Sequence, residues 1–271
     1  MKKKKVIFKD SEIIAFCEAT KDTNEIHDPE FMRKIGKRAI VPGMMAFSNT
    51  VNLSSDFLKT QADSIKVLFN SLLSSGDFVT LTATPNPVNP FEIRLSAYNH
   101  MDTLTTKDDY TRIFKSGRSF EINFIGIVRK LPVEHSQIEC FTRLTGASDC
   151  QVSNFLFAVA YASRALFDSI DHPETETEKE IDELINRNSK VSPFYQSLEI
   201  YIPTPFPVME TKGFLDYRIH FVREKICKLY TAYICCEQND RVIYHSIYKL
   251  VGIPDSIILR MAKETKFRKD Q

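Results

Sequence analysis

"VSNFLFAVAYASRALFDSI", residues 152–170, is the stretch on which the fold turns. It is long enough for five helical turns and is polar only at widely spaced points, so a helix here has no wet face and must be buried nearly all round. Something has to wrap it. Upstream, "QIECFTRLTG" (137–146) reads as a short helix ending in a turn. Downstream, residues 171–190 are strongly charged and read as an exposed insertion, with a solvated helix at 177–187. Four strand-like runs follow: "FYQSLEIYI", "FLDYRIHFV", "KLYTAYICCEQ" and "RVIYHSIYKLVGI". A long helix followed by successive strands, with no helices between them, predicts an α+β fold with an antiparallel sheet.

The first half carries the same order. "SEIIAFCEAT" (11–20) predicts a short helix behind a Ser cap, residues 29–35 a second short piece, and "GMMAFSNTVNLSSDFLKT" (43–60) a buried helix. "IKVLFNSLL" (65–73), a turn at 74–77 and the alternating "FVTLTATP" (78–85) read as a hairpin, with "FEIRLSAYN" (91–99) and one or two further strands after it. Aligning "FCEATKDTNEIH" (16–27) with "FTRLTGASDCQV" (141–152) pairs Phe16 with Phe141 and Thr20 with Thr145. Downstream, the same comparison sets Phe69 against Phe221. The chain is therefore expected to be two copies of one unit, residues 1–130 and 131–271. In this alignment Asp22 faces Ala147, Asn24 faces Asp149 and His27 faces Val152, so the second copy lacks an acid and a base that the first has.

Composition narrows the chemistry. There are 36 Lys and Arg against 35 Asp and Glu, a balance that gives no reason to expect nucleic acid or a membrane surface as partner. The "KKKK" at 2–5 reads as a solvated start to the chain. No Gly-rich phosphate or dinucleotide motif occurs, and no apolar run is long enough to span a membrane. The six cysteines include no pair of pairs at zinc spacing. Reduced, buried thiols, no metal and a cytoplasmic location are expected. His100, His135 and His172 read as surface residues, and His220 and His245 as structural members of strands.

Residues 16–47 resemble the signature region of the MaoC-like hydratases, the (R)-specific enoyl-thioester hydratases and 3-hydroxyacyl-thioester dehydratases. Their motif runs [FA]-x-x-[LV]-[ST]-G-D-x-N-P-[IL]-H, then [IV]-[VAP]-[HP]-G-M. This chain has "FCEATKDTNEIHDPEF" and then "IVPGMM", matching at Asp22, Asn24, His27, Pro29, Phe31, Gly43 and Met44. Lys21 stands where the family usually has Gly and Glu25 where it has Pro, and Val51 is nearest by count to a serine many relatives carry. Fused eukaryotic relatives usually carry the motif in the C-terminal half; here it lies in the N-terminal half.

The resemblance implies two fused hotdog domains, each a long buried helix wrapped by a curved antiparallel sheet. It implies reversible hydration of an enoyl thioester, with Asp22 and His27 as the dyad, Gly43 as oxyanion donor and Asn24 orienting the loop. The residue types suit that chemistry. A carboxylate and an imidazole can share one water and exchange proton roles on reversal, and a helix N-terminus favours developing negative charge. Lys34, Lys37 and Arg38 would stand near the phosphates of coenzyme A or a carrier protein's pantetheine. The thioester is the substrate and no cofactor is expected. A bare second half is expected to leave room for an acyl chain. Two other readings stand beside this one: a non-catalytic acyl-binding or partner hotdog, and a hotdog thioesterase, whose usual helix carboxylate could here be only Asp56. With two units in one chain, pairing can be internal, giving a monomeric pseudo-dimer, or a homodimer can form.

Overall fold

The structure is a computed structural model that describes residues 1–69, 72–99, 109–116, 126–183, 191–224, 229–254, 256–257 and 262. Its elements run β1 (Lys2–Ile7), α1 (Asp10–Thr20), a 3₁₀ turn (Glu25–His27), α2 (Pro29–Lys34), α3 (Gly43–Val51), a second 3₁₀ turn (Asn52–Ser54) and α4 (Ser55–Thr60). Strands β2 (Ser64–Leu68), β3 (Phe78–Pro85), β4 (Glu92–Asn99) and β5 (Asp109–Phe114) follow. Then come β6 (Ile127–Val133), α5 (His135–Thr145), α6 (Cys150–Asp171), α7 (Glu176–Asp182), β7 (Val191–Tyr201), β8 (Gly213–Arg223), β9 (Leu229–Gln238) and β10 (Arg241–Pro254).

All ten described strands join one antiparallel sheet in the order β1-β3-β4-β5-β2-β7-β10-β9-β8-β6. Read outward from the central β2–β7 pair, the two halves have the same order, so each half repeats one strand arrangement around its own helix. β6 spans the divide expected at residues 130 and 131 and pairs with β8. α6 is buried along most of its length, from Val152 to Ile170. Three tyrosines of the sheet seal it: the hydroxyls of Tyr217 and Tyr244 donate to the Ala158 carbonyl at 2.7 and 3.3 Å, and that of Tyr248 donates to Val159 at 3.2 Å. Burial pushes all three phenols far above their ordinary range, so each stays a neutral donor.

The halves grip each other where the alignment placed matching residues. The Phe16 and Phe141 rings lie 5.5 Å apart, and Thr20 and Thr145 each turn a hydroxyl back onto those phenylalanines' carbonyls. Gln137 of α5 donates to the Ala19 carbonyl of α1 at 3.1 Å.

Several expectations change. Residues 65–73 and 78–85 do not form a hairpin: β3 pairs with β1 and β4, while β2 pairs with β5 and β7. The Phe69/Phe221 match falls with it, because Phe221 belongs to β8, whose counterpart in sheet order is β3. The lysine run is solvated as expected, and it also forms an edge strand, whose charged side chains discourage pairing with another sheet. Ser11 does not cap α1; Glu12 reaches back to the Lys9 N–H at 2.9 Å instead. The helix expected over 43–60 breaks at Asn52–Ser54. α7 is not simply solvated, since Ile181 is 2 % exposed and packs into the main core.

Candidate active site

The site begins where α1 stops. Lys21 takes a left-handed conformation (φ 54°), which turns the chain and lets the Asp22 N–H bond the Cys17 carbonyl at 3.0 Å. Asp22 Oδ1 accepts from the Asn24 N–H at 3.1 Å, and Asn24 Oδ1 from the Ile26 N–H at 3.3 Å. These two side-chain turns wind the 3₁₀ segment that presents His27. Asp28 then caps α2, accepting from the Glu30 and Phe31 N–H groups.

His27 is held from behind. Its Nδ1 lies 2.7 Å from the Ile40 carbonyl oxygen, while the Ile40 N–H donates to the Ile26 carbonyl at 2.9 Å. A carbonyl only accepts, so Nδ1 carries the proton and, in the neutral ring, Nε2 offers a lone pair. That Nε2 faces Asp22 Oδ2 across 3.8 Å, with both side chains largely buried. The gap is too long for a direct hydrogen bond and is a span that one water oxygen about 2.8 Å from each would bridge. Burial first, then the Asp22 charge, push the Cys17 thiol well above its ordinary range, which favours its protonated form.

Asp22, Asn24 and His27 line one wall of a cavity whose empty space is about 720 Å³, counting solvent at its mouth. Gly43 and Met44 at the start of α3 line it too. The Met45 and Ala46 N–H groups already bond the Pro42 carbonyl, so among the described residues the Gly43 and Met44 N–H groups are the first-turn donors left over. A Cβ at position 43 would come 3.1 Å from the Phe69 ring, so this close approach favours glycine. The rest of the wall is apolar, and three of its aromatics, Phe167, Phe194 and Tyr195, come from the second unit. The Tyr195 hydroxyl donates to Ser163 Oγ of α6 at 2.7 Å. Nothing in the signature motif pointed to these three or to the Ile40 carbonyl; Phe194 and Tyr195 arrive on β7 through its pairing with β2, Phe167 on the buried helix α6, and the Ile40 carbonyl through the loop before α3.

The three cations expected at the mouth are placed differently. Arg38 is committed, donating to the Ser75 carbonyl at 2.8 Å and to Asp77 at 2.6 Å, which pins the turn before β3. Lys34 is exposed and lies 3.8 Å from Glu30, and Lys37 is half-buried. Asp56 is exposed on α4, away from the cavity. His135 pairs with Glu139 at 3.0 Å, His172 ends α6 in solvent, His220 is exposed on β8, and His245 is half-buried on β10. His100 lies outside the described residues.

The second copy departs from the sequence alignment after its first turn residues. Gly146 and Ala147 do follow α5 as Lys21 and Asp22 follow α1. But α6 starts directly after residues 146–149, whereas residues 21–42 intervene before α3. Asp149 therefore caps its long helix, in the place of Pro42 and not of Asn24. Asn24 and His27 sit on an excursion that the second unit lacks.

No protein-family profile and no curated protein matches the sequence. Solved structures do match. A MaoC-like dehydratase aligns over 91 % of this chain and 95 % of its own, at 7 % identity and a TM-score of 0.53. The fold is a double hotdog. Peroxisomal multifunctional enzyme type 2 of Drosophila melanogaster shares it at 7 % identity and a TM-score of 0.56, over 92 % of this chain and 48 % of that one. A proposed oleoyl thioesterase from Lactobacillus plantarum shares it at 9 % identity and a TM-score of 0.51, over 93 % and 96 % of the two chains. At these identities the likeness speaks for the double hotdog alone. Among the described residues no helix is long and apolar enough to cross a membrane, and no cluster of three His, Cys, Asp or Glu is placed to hold a metal ion.

Proposed function

We propose that the chain hydrates an enoyl thioester, and dehydrates the 3-hydroxyacyl thioester in reverse, at Asp22 and His27. The observation that carries this reading is the pair itself: a fixed imidazole Nε2 and a carboxylate oxygen 3.8 Å apart, beside the N-terminus of α3 and at the head of an apolar cavity. Water held by both groups adds its oxygen to Cβ while one of them takes its proton. Electron density moves onto the thioester oxygen, and a proton is returned at Cα, so that H and OH end on the two former alkene carbons. The Gly43 N–H meets the developing oxyanion, helped by the α3 dipole. Asn24 keeps the Asp22 turn in shape. The acyl chain lies along Met44, Phe69 and the second unit's Phe167 and Tyr195. Lys34 and Lys37 are the cations proposed to meet the phosphates of the carrier, coenzyme A or acyl carrier protein.

A second reading, thioester hydrolysis, is open to the same pair of groups beside the same cavity. The same held water aimed at the thioester carbon would release free thiol. The two readings part in one assay. With crotonyl-CoA and longer enoyl-CoAs, loss of the conjugated thioester absorbance without thiol release is expected. Asp22→Asn and His27→Ala should each lower turnover by about 100-fold or more. Thiol release that depends on the same residues would replace hydration with hydrolysis. No reaction at any chain length, on either carrier, would leave an acyl-binding protein.

A further inference from the structure

The back of the His27 wall is a second, small hydrophobic cluster, separate from the main core. Its buried members are Ile26, Met32, Ile40 and Ala262, with Phe31, Leu72, Phe194 and Ile253 packed against them. Two of these are the residues that hold the imidazole: the Ile40 carbonyl accepts from Nδ1, and the Ile26 carbonyl accepts from the Ile40 N–H. Ile26, Ile40, Leu72 and Phe194 also line the cavity, so the excursion carrying His27 is clamped between the acyl cavity on one side and this cluster on the other. Ala262 is 3 % exposed and comes from beyond β10, at the far end of the chain.

We propose that Ala262, packed in this cluster behind the excursion, is a positioning residue for His27, so that a residue beyond β10 sets the geometry of a base that lies in the first unit. The excursion needs such a support. Residues 21–42 lie between α1 and α3; Ala39, Val41 and the Ile40–Ser74 bridge tie their far end to the main core, but the 3₁₀ turn and α2 that carry His27 and Met32 are too small to be stable without tertiary packing. Met32 is fully buried, yet its cluster is separate from the main core that holds the rest of the fold. Removing one of four buried members therefore loosens the Ile26–Ile40 backbone pair before it loosens the double hotdog.

The role of Ala262 in turnover rests on the hydratase reading, but its effect on the imidazole does not. The test follows the His27 Nδ1–H resonance in ¹⁵N-histidine-labelled protein, assigned with His27→Gln, alongside crotonyl-CoA hydration. Ala262→Asp places a charge in an apolar site; Ala262→Ser is the mild control. In Ala262→Asp the Nδ1–H signal should broaden or vanish as the Ile40 bond opens, and kcat should fall by about tenfold or more with KM moving far less. Ala262→Ser should keep both. Ala262→Leu, which overfills the same apolar site, repeats the test if Ala262→Asp does not fold, with far-UV circular dichroism checking that the sheet persists. An unchanged Nδ1–H signal in the folded Ala262→Asp protein, or in Ala262→Leu where that is the variant that folds, overturns the proposal. Should the wild type turn over no thioester, the hydratase reading fails, and the resonance alone decides this one.

Discussion

Lys21 holds φ at 54° at the end of α1, and Gly146 holds 64° at the same place after α5. The left-handed region crowds a Cβ against its own backbone and costs an ordinary residue about 1–2 kcal/mol, a cost glycine does not bear. Glycine's looser unfolded chain returns part of that difference. Lys21→Gly is therefore expected to stabilise the protein by about 0.5–1 kcal/mol, read as a higher urea midpoint at unchanged slope. Lys21→Ala should bring no such gain, because it keeps the Cβ while losing the charge. A gain with alanine would mean that charge, and not backbone, is what Lys21 costs. The lysine at position 21, where the resembled motif has glycine, is thus a matter of strain: Lys21 makes the same turn that glycine makes after α5.

At the scale of elements, the contrast between the two units lies in what joins their first and second helices. Asp149 closes the short join in the second unit, accepting from the Gln151 and Val152 N–H groups and from Lys59 at 2.8 Å. Asp149→Asn keeps the cap and gives up the ion pair, while Asp149→Ala gives up both and should cost about 1 kcal/mol or somewhat more. Turnover should stay within a few-fold of wild type in Asp149→Asn, measured under conditions where the variant is fully folded. A collapse would sink the assignment of the reaction to the first unit alone. The same comparison shows what could be read beforehand. α6 was legible because an apolar run of that length has one physical solution, and Phe16/Phe141 and Thr20/Thr145 were legible because both helix ends obey one local rule. The excursion was not, because a gapless alignment carried Asn24 onto Asp149 across a join that exists in only one copy. Nor were the partners of β2 and β3, since a strand's local alternation says which face is buried and not which distant strand lies beside it.

Across the whole molecule, the two units are stitched by charge as well as by packing. β2 and β7 pair at the centre of the sheet, and at Lys66↔Glu199 the register sets an ammonium against a carboxylate. Burial works against the charge on Glu199, but the bonded Lys66 outweighs it, aided by the Tyr201 hydroxyl and Lys249, and holds the carboxyl below its ordinary value of 4.5. Asp149 is similar: burial opposes its charge, and Lys59 with two helix N–H groups holds it below 3.8. A carboxyl depressed in the folded state binds fewer protons there than in the unfolded chain, so stability rises with pH between the two values. The contribution is complete above about pH 4.5 and is lost as pH falls through the lower folded values. Unfolding free energy should thus be level near neutrality and fall below that point. Glu199→Gln with Lys66→Met should flatten the part of the acid limb just under pH 4.5, at the cost of whatever the pair contributes at neutral pH. Urea titrations from neutral pH downward decide it. An acid limb of unchanged slope in the double variant would mean that the seam is held by the backbone ladder and the Phe16–Phe141 contact, with its central ion pair contributing nothing to acid sensitivity.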